Sequence, residues 1–143
     1  MKCDQCDASP NVIIAVDPGR DKCGIAVVHE DGQVIHQAVV STAEVADAVA
    51  RLLERYAQAT LVLGDRTGAR NIGVVLSKRA RVSAVMVDEH RSTIQGRRRY
   101  FRENPPRGWR RLIPLGLQTP PRPFDDYVAV VIAERYIDSL RHR

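Results

Sequence analysis

The sequence predicts an α/β fold: a mixed five-stranded sheet, made of a three-stranded antiparallel meander plus two parallel strands, with helices on both faces. Three observations lead there. The N-terminal part of the chain holds apolar runs rich in Val and Ile that are separated by short turns. Further on, short apolar runs alternate with segments of helical periodicity. The chain has 143 residues, enough for one domain with a single modest core.

Residues 1–11 are polar and are expected to be a flexible tail, leaving 12–143 as the domain. Residues 12–17 and 23–29 predict two strands joined by the Pro18-Gly19 turn, and Glu30-Asp31-Gly32 is a hairpin signal leading into a third strand from Gln33 to Val40. Ser41-Thr42-Ala43-Glu44 has the Ser/Thr-before-acid order of a helix cap, and Val45, Val49, Leu52, Leu53 and Tyr56 follow at helical spacing to about Gln58. Leu61-Val62-Leu63 is too short for a helix and reads as a buried strand stopped by Gly64-Asp65. Ile72, Val75 and Leu76 mark the inner face of a helix over Ala69–Arg79, and Ser83–Val87 reads as a second buried strand. Ser92-Thr93 caps a further helix that Asn104-Pro105-Pro106 stops; Pro114, Pro120, Pro121 and Pro123 exclude regular structure from the next stretch. The last helix runs from Asp125 to about Leu140, with Val128, Val131, Ile132, Tyr136 and Leu140 turned inward.

Composition narrows the function. The formal charge is +5, the pI near 9.5, and the excess lies between Arg91 and Arg111, where Arg97, Arg98, Arg99, Arg102, Arg107 and Arg110 face the lone acid Glu103. Such a stretch suits a polyanion. No apolar run is long enough to cross a bilayer and the N-terminus lacks the order of a secretory signal, so a cytoplasmic chain without a membrane partner is expected. Cys3, Cys6 and Cys23 make an odd count, and Cys3-x-x-Cys6 has no second pair to complete a zinc site, so it is given no role.

Acids recur at element ends: Asp17, Asp65, Asp88-Glu89 and Asp125-Asp126. Parallel strands would gather the first three groups at one sheet edge, and the last helix would close the group from above. Carboxylates brought that close repel unless one protonates or a cation enters, and oxygen ligands of this kind select Mg²⁺ or Mn²⁺. Each acid also has a plainer reading. Asp17 before Pro-Gly suits a turn, Asp65 can bond its own backbone, Asp88-Glu89 can be a solvated strand end, and one of Asp125 and Asp126 is expected to cap its helix.

The pattern Asp17-x-Gly19-x-x-Lys22-x-Gly24-x-Ala26, then Asp88-Glu89-x-x-Ser92-Thr93, then Asp126-x-x-Ala129 resembles the YqgF family, in the ribonuclease H-like superfamily with RuvC-type resolvases. The resemblance spans about residues 12–138. It implies a metal-dependent nuclease whose carboxylates are Asp17, Glu89 and Asp126, with Asp65 and Asp125 as additional candidates. Gly64-Asp65-Arg66-Thr67-Gly68 stands where family members carry Gly-x-Pro, and the Pro-rich stretch from Asn104 to Pro123 is an unusual insertion.

Arg97-Arg98-Arg99-Tyr100-Phe101-Arg102 and Gly108-Trp109-Arg110-Arg111 interleave guanidinium groups with rings, a combination suited to phosphates and unpaired bases. With Lys22, Arg66 and Arg91, these residues are the candidate nucleic-acid contacts, Arg97, Arg98, Arg99, Arg102, Trp109, Arg110 and Arg111 foremost. The plainer reading is a solvated basic face whose rings pack on the core. Branched DNA, as for RuvC-type resolvases, and precursor 16S ribosomal RNA are the two substrates that the resemblance implies. Junction cutting needs two active sites and so predicts a homodimer; RNA processing does not. A nucleic-acid-binding module without catalysis is the competing class. The phosphate loop of sugar kinases, which Asp17-x-Gly19 also resembles, needs two copies of the fold and does not suit this length.

Overall fold

Strand β1 (Val12–Asp17) is buried along its whole length, the mark of a strand covered on both faces. The computed structural model describes residues 12–65, 69–80, 84–88, 92–114, 117–118 and 120–142. β2 (Lys22–His29) and β3 (Val34–Ser41) complete an antiparallel meander with β1, while β4 (Thr60–Gly64) and β5 (Val85–Val87) run parallel to it. The order β3-β2-β1-β4-β5 puts β1 at the centre of the sheet. The β2–β3 hairpin turns through Gly32 at φ 98°, a conformation that a side chain disfavours, and Asp31 Oδ1 accepts a 2.8 Å hydrogen bond from the Gln33 amide.

Strand alternation divides the apolar residues into two layers. Val12, Ile14, Val16, Cys23, Ile25, Val27, Leu61 and Leu63 face Val45 and Val49 of α1 (Val45–Arg55) and Ile72 and Leu76 of α2 (Ala69–Ala80). Ile13, Ala15, Ala26, Val28 and Val62 face α4 (Asp125–Arg141). α3 (Ser92–Glu103) packs on the outer side of α4, where Tyr100 meets Phe101 and Tyr127 edge to face at 5.4 Å. Held between sheet and α3, α4 is buried at every position from Asp126 to Ala133, so it is not the one-faced amphipathic helix expected.

Other expectations also need correction. α1 stops at Arg55 with Tyr56 as its C-cap, short of Gln58. Its N-cap is Glu44 without a side-chain bond; Thr42 Oγ1 donates instead to the Gly19 carbonyl at 3.0 Å, bracing the β1–β2 turn. β5 is an edge strand, with Val85 and Met86 exposed, and Val75 and Leu140 are exposed rather than inward. The Pro-rich stretch contains a 3₁₀ helix, Gly108–Leu112. The expected tail, residues 1–11, lies outside the described residues. No helix among the described residues is long and apolar enough to cross a membrane.

The layering makes a quantitative prediction. Ile132, fully buried between α4 and the sheet, should lose about 2–5 kcal/mol of stability as Ile132→Ala in urea unfolding. Leu112→Ala, at 88% exposure, should change stability by no more than ~0.5 kcal/mol.

Candidate active site

Asp17 ends β1 and shares the parity of Ile13 and Ala15, so its side chain belongs to the sheet face that α4 covers. It is 1% exposed. Across the sheet Asp17 pairs with Gly24 of β2, and Gly24 pairs with Val39 of β3. Here the glycine is required by space. A Cβ at Gly24 would lie 1.8 Å from the Asp125 carbonyl oxygen and 2.7 Å from the Asp126 amide nitrogen. The first turn of α4 therefore rests on the Asp17–Gly24 pair, and Asp126, 4% exposed, is buried against the same sheet face. The two acids, far apart in sequence, are thus both buried on one face of the sheet.

Asp126 is held asymmetrically. Its Oδ2 accepts a hydrogen bond from Gln37 Nε2 at 2.8 Å and an ion pair from Arg122 at 3.4 Å, whereas its buried Oδ1 accepts none from the described residues. Gln37 is opposite Ala26 on β3, on the α4 side of the sheet, which is why a strand residue reaches the helix. The Arg122 guanidinium lies over the rings of Tyr100, at 5.4 Å, and Tyr127, at 5.3 Å, and donates to the Pro123 carbonyl at 2.9 Å. Partial burial would ease its deprotonation, but the charge of Asp126 and the hydrogen bond to it outweigh that and hold Arg122 above its ordinary value.

The remaining acids occupy the same sheet edge with different exposure. Asp65 follows β4 and is exposed, its amide bonded to the Val87 carbonyl at 3.1 Å; Asp88 follows β5 and is exposed, its carbonyl accepting from Arg135 at 2.8 Å. Glu89 lies outside the described residues, and among the described residues no three acids, histidines or cysteines are grouped to hold a metal ion. The expected helix cap from Asp125 or Asp126 is corrected: Phe124 is the N-cap, no side chain bonds there, and both acids sit in the first turn, where the helix dipole favours them.

Of the basic residues, Lys22, Arg98, Arg102, Arg110 and Arg111 are exposed and Arg97 is half-buried. Arg99 is engaged within the protein, paired to Glu134 and 3.7 Å from Glu103. Arg66 and Arg91 lie outside the described residues. Tyr100 and Phe101 are buried against α4, whereas Trp109 is 70% exposed with Arg110 over its ring at 5.9 Å. Sequence reasoning overlooked Gln37 and Arg122; the i,i+4 spacing of Arg122 and Asp126 was a usable signal.

The architecture is of the ribonuclease H-like type, a meander extended by parallel strands with helices on both faces. Among solved structures it is similar to Thermus thermophilus RuvC, with a TM-score of 0.58 and 17% identity over 92% of this chain and 96% of that one. It is similar also to T. thermophilus RuvC in complex with a Holliday junction substrate, with a TM-score of 0.62 and 18% identity over the same shares of 92% and 96%. No protein-family model and no curated protein matches the chain. Identity this low establishes a common fold and nothing finer.

The close approach at Gly24 can be tested by substitution. Gly24→Ala should push the first turn of α4 off the sheet and cost roughly 1–3 kcal/mol or more. The loss should appear in urea unfolding, and hydrogen exchange should show the amides of the first turn of α4 opening most.

Proposed function

We propose that this chain is a divalent-metal-dependent nuclease that hydrolyses phosphodiester bonds in structured nucleic acid, with branched DNA as its substrate. The observation that carries the reading is the burial of two carboxylates, Asp17 and Asp126, on one face of the sheet near the edge where the parallel strands end. Burying a carboxylate is costly, and at Asp126 the half-exposed Arg122 offers a single charge at 3.4 Å. Carboxylate oxygens are hard donors that suit Mg²⁺ or Mn²⁺. The buried Asp126 Oδ1, accepting no hydrogen bond from the described residues, fits such an ion.

Asp17 and Asp126 would hold the cation with Glu89 as the third carboxylate, and Asp65 and Asp125 remain candidates at the rim. Bound there, a divalent ion activates water and neutralises charge on the phosphate. Gln37 fixes the rotation of the Asp126 carboxylate, as outer hydrogen-bond partners of ligands commonly do. Exposed Arg98, Arg102, Arg110 and Arg111 bind phosphates, with Lys22 beside the β1–β2 turn, and Trp109 stacks on an unpaired base.

The likeness in fold to an RuvC solved with a Holliday junction supports branched DNA. The order of motifs around Asp17, Asp88-Glu89 and Asp126 resembles the YqgF family instead and supports processing of the 5′ end of pre-16S rRNA as the second reading. Incubation with Mn²⁺ and, in parallel, a four-way junction, duplex DNA, single-stranded DNA and structured RNA separates the two. Paired cuts in the junction, made by a dimer seen in sedimentation, are expected.

Asp17→Asn and Asp126→Asn should each retain junction binding while losing cleavage by more than the roughly 10–100-fold attached to an outer partner of a metal ligand. Cleavage unchanged in both would remove these acids from the mechanism and leave a binding module. Replacing Arg98 or Arg102 by Ala should lower the slope of log affinity against log salt by about 0.9 for each phosphate that the variant no longer neutralises.

A further inference from the structure

We propose that Arg122 is a resident counter-cation of the acidic site and competes with a divalent ion for Asp126, so that the protein sets its own metal affinity low. This rests on the metal-binding reading above and adds a residue that it does not need. The guanidinium is fixed by the Tyr100 and Tyr127 rings at 5.4 and 5.3 Å, the Pro123 carbonyl at 2.9 Å and Asp126 Oδ2 at 3.4 Å. The rings and the carbonyl hold the cation beside the acid whether or not the ion pair forms. The ion pair is the longest of its hydrogen-bond distances, and the same oxygen already has a shorter bond from Gln37 at 2.8 Å. Gln37 therefore orients Asp126, and Arg122 contributes chiefly charge.

A second cation arriving at Asp126 meets that charge at short range. The two interactions oppose each other, and the opposition is reciprocal: whatever Arg122 takes from ion affinity, the ion takes from the Arg122–Asp126 pair. The Arg122 side chain is 46% exposed, against 5% for Asp126, so the fixed guanidinium stands at the solvent side of the buried carboxylate. A phosphodiester near the site would offer it a bidentate partner of the kind that arginine favours.

Calorimetric titration of the full chain with MnCl₂ tests this without any substrate. Arg122→Gln should bind Mn²⁺ on the order of tenfold more tightly than the parent. Arg122→Lys, which keeps the charge, should stay within about threefold of the parent, and Asp126→Asn should abolish the heat. In thermal unfolding, Mn²⁺ should raise the midpoint of Arg122→Gln more than that of the parent, which reports folding of the variant as well. Equal Mn²⁺ affinity in parent and Arg122→Gln, with Asp126→Asn inert, would overturn the role of Arg122 and leave the metal site standing. No Mn²⁺ binding by any of the proteins at millimolar concentration would overturn the metal site and, with it, this inference.

Discussion

The contact on which the rest of the site depends is between backbones: the first turn of α4 lies against Gly24, closer than any side chain would allow. Because Gly24 is the cross-strand partner of Asp17, the height of α4 above the sheet and the distance between its acids and Asp17 are set together. Hydrogen bonds then refine what the backbone contact fixes. Gln37 reaches Asp126 from β3 and Arg122 reaches it from the preceding loop, so strand, loop and helix converge on one carboxylate.

Double coverage of the central strand explains why polar groups tolerate this depth. β1 is buried between α4 on one side and α1 with α2 on the other, and its only polar residue stands at its last position. An acid in mid-strand would face apolar layers with no partner, whereas one at the last position stands at the rim of those layers, within reach of polar groups from the neighbouring turns. α4 is subject to the same logic. Its acids occupy the first turn, where its dipole favours negative charge, and the apolar body from Tyr127 to Ala133 is enclosed by sheet and α3.

The antiparallel meander and the two parallel strands added to it were legible in the sequence because alternation and turn residues are local signals. Asp17 was legible too, since an acid closing a wholly apolar run is anomalous. What escaped depends on packing between distant segments. Ala84-Val85-Met86-Val87 reads like the buried Leu61-Val62-Leu63, yet only topology leaves the former at an exposed edge. Tyr100, Phe101 and Trp109 are equally interleaved with arginines, and whether each ring is buried or offered to solvent is decided by where α4 lies. Gln37 was passed over because nothing nearby in sequence announces a helix above its strand. The choice of Asp126 rather than Asp125 as the buried acid follows from the rotation of α4, which the Gly24 contact fixes and no periodicity encodes.

α4 is also the last element in chain order, and it closes one whole apolar layer as well as supplying Asp126. Docking of this one helix therefore does two things at once: it covers the apolar face formed by Ile13, Ala15, Ala26, Val28 and Val62, and it carries Asp126 under cover against the sheet. Any change that loosens the helix from the sheet exposes the acid and the apolar layer together.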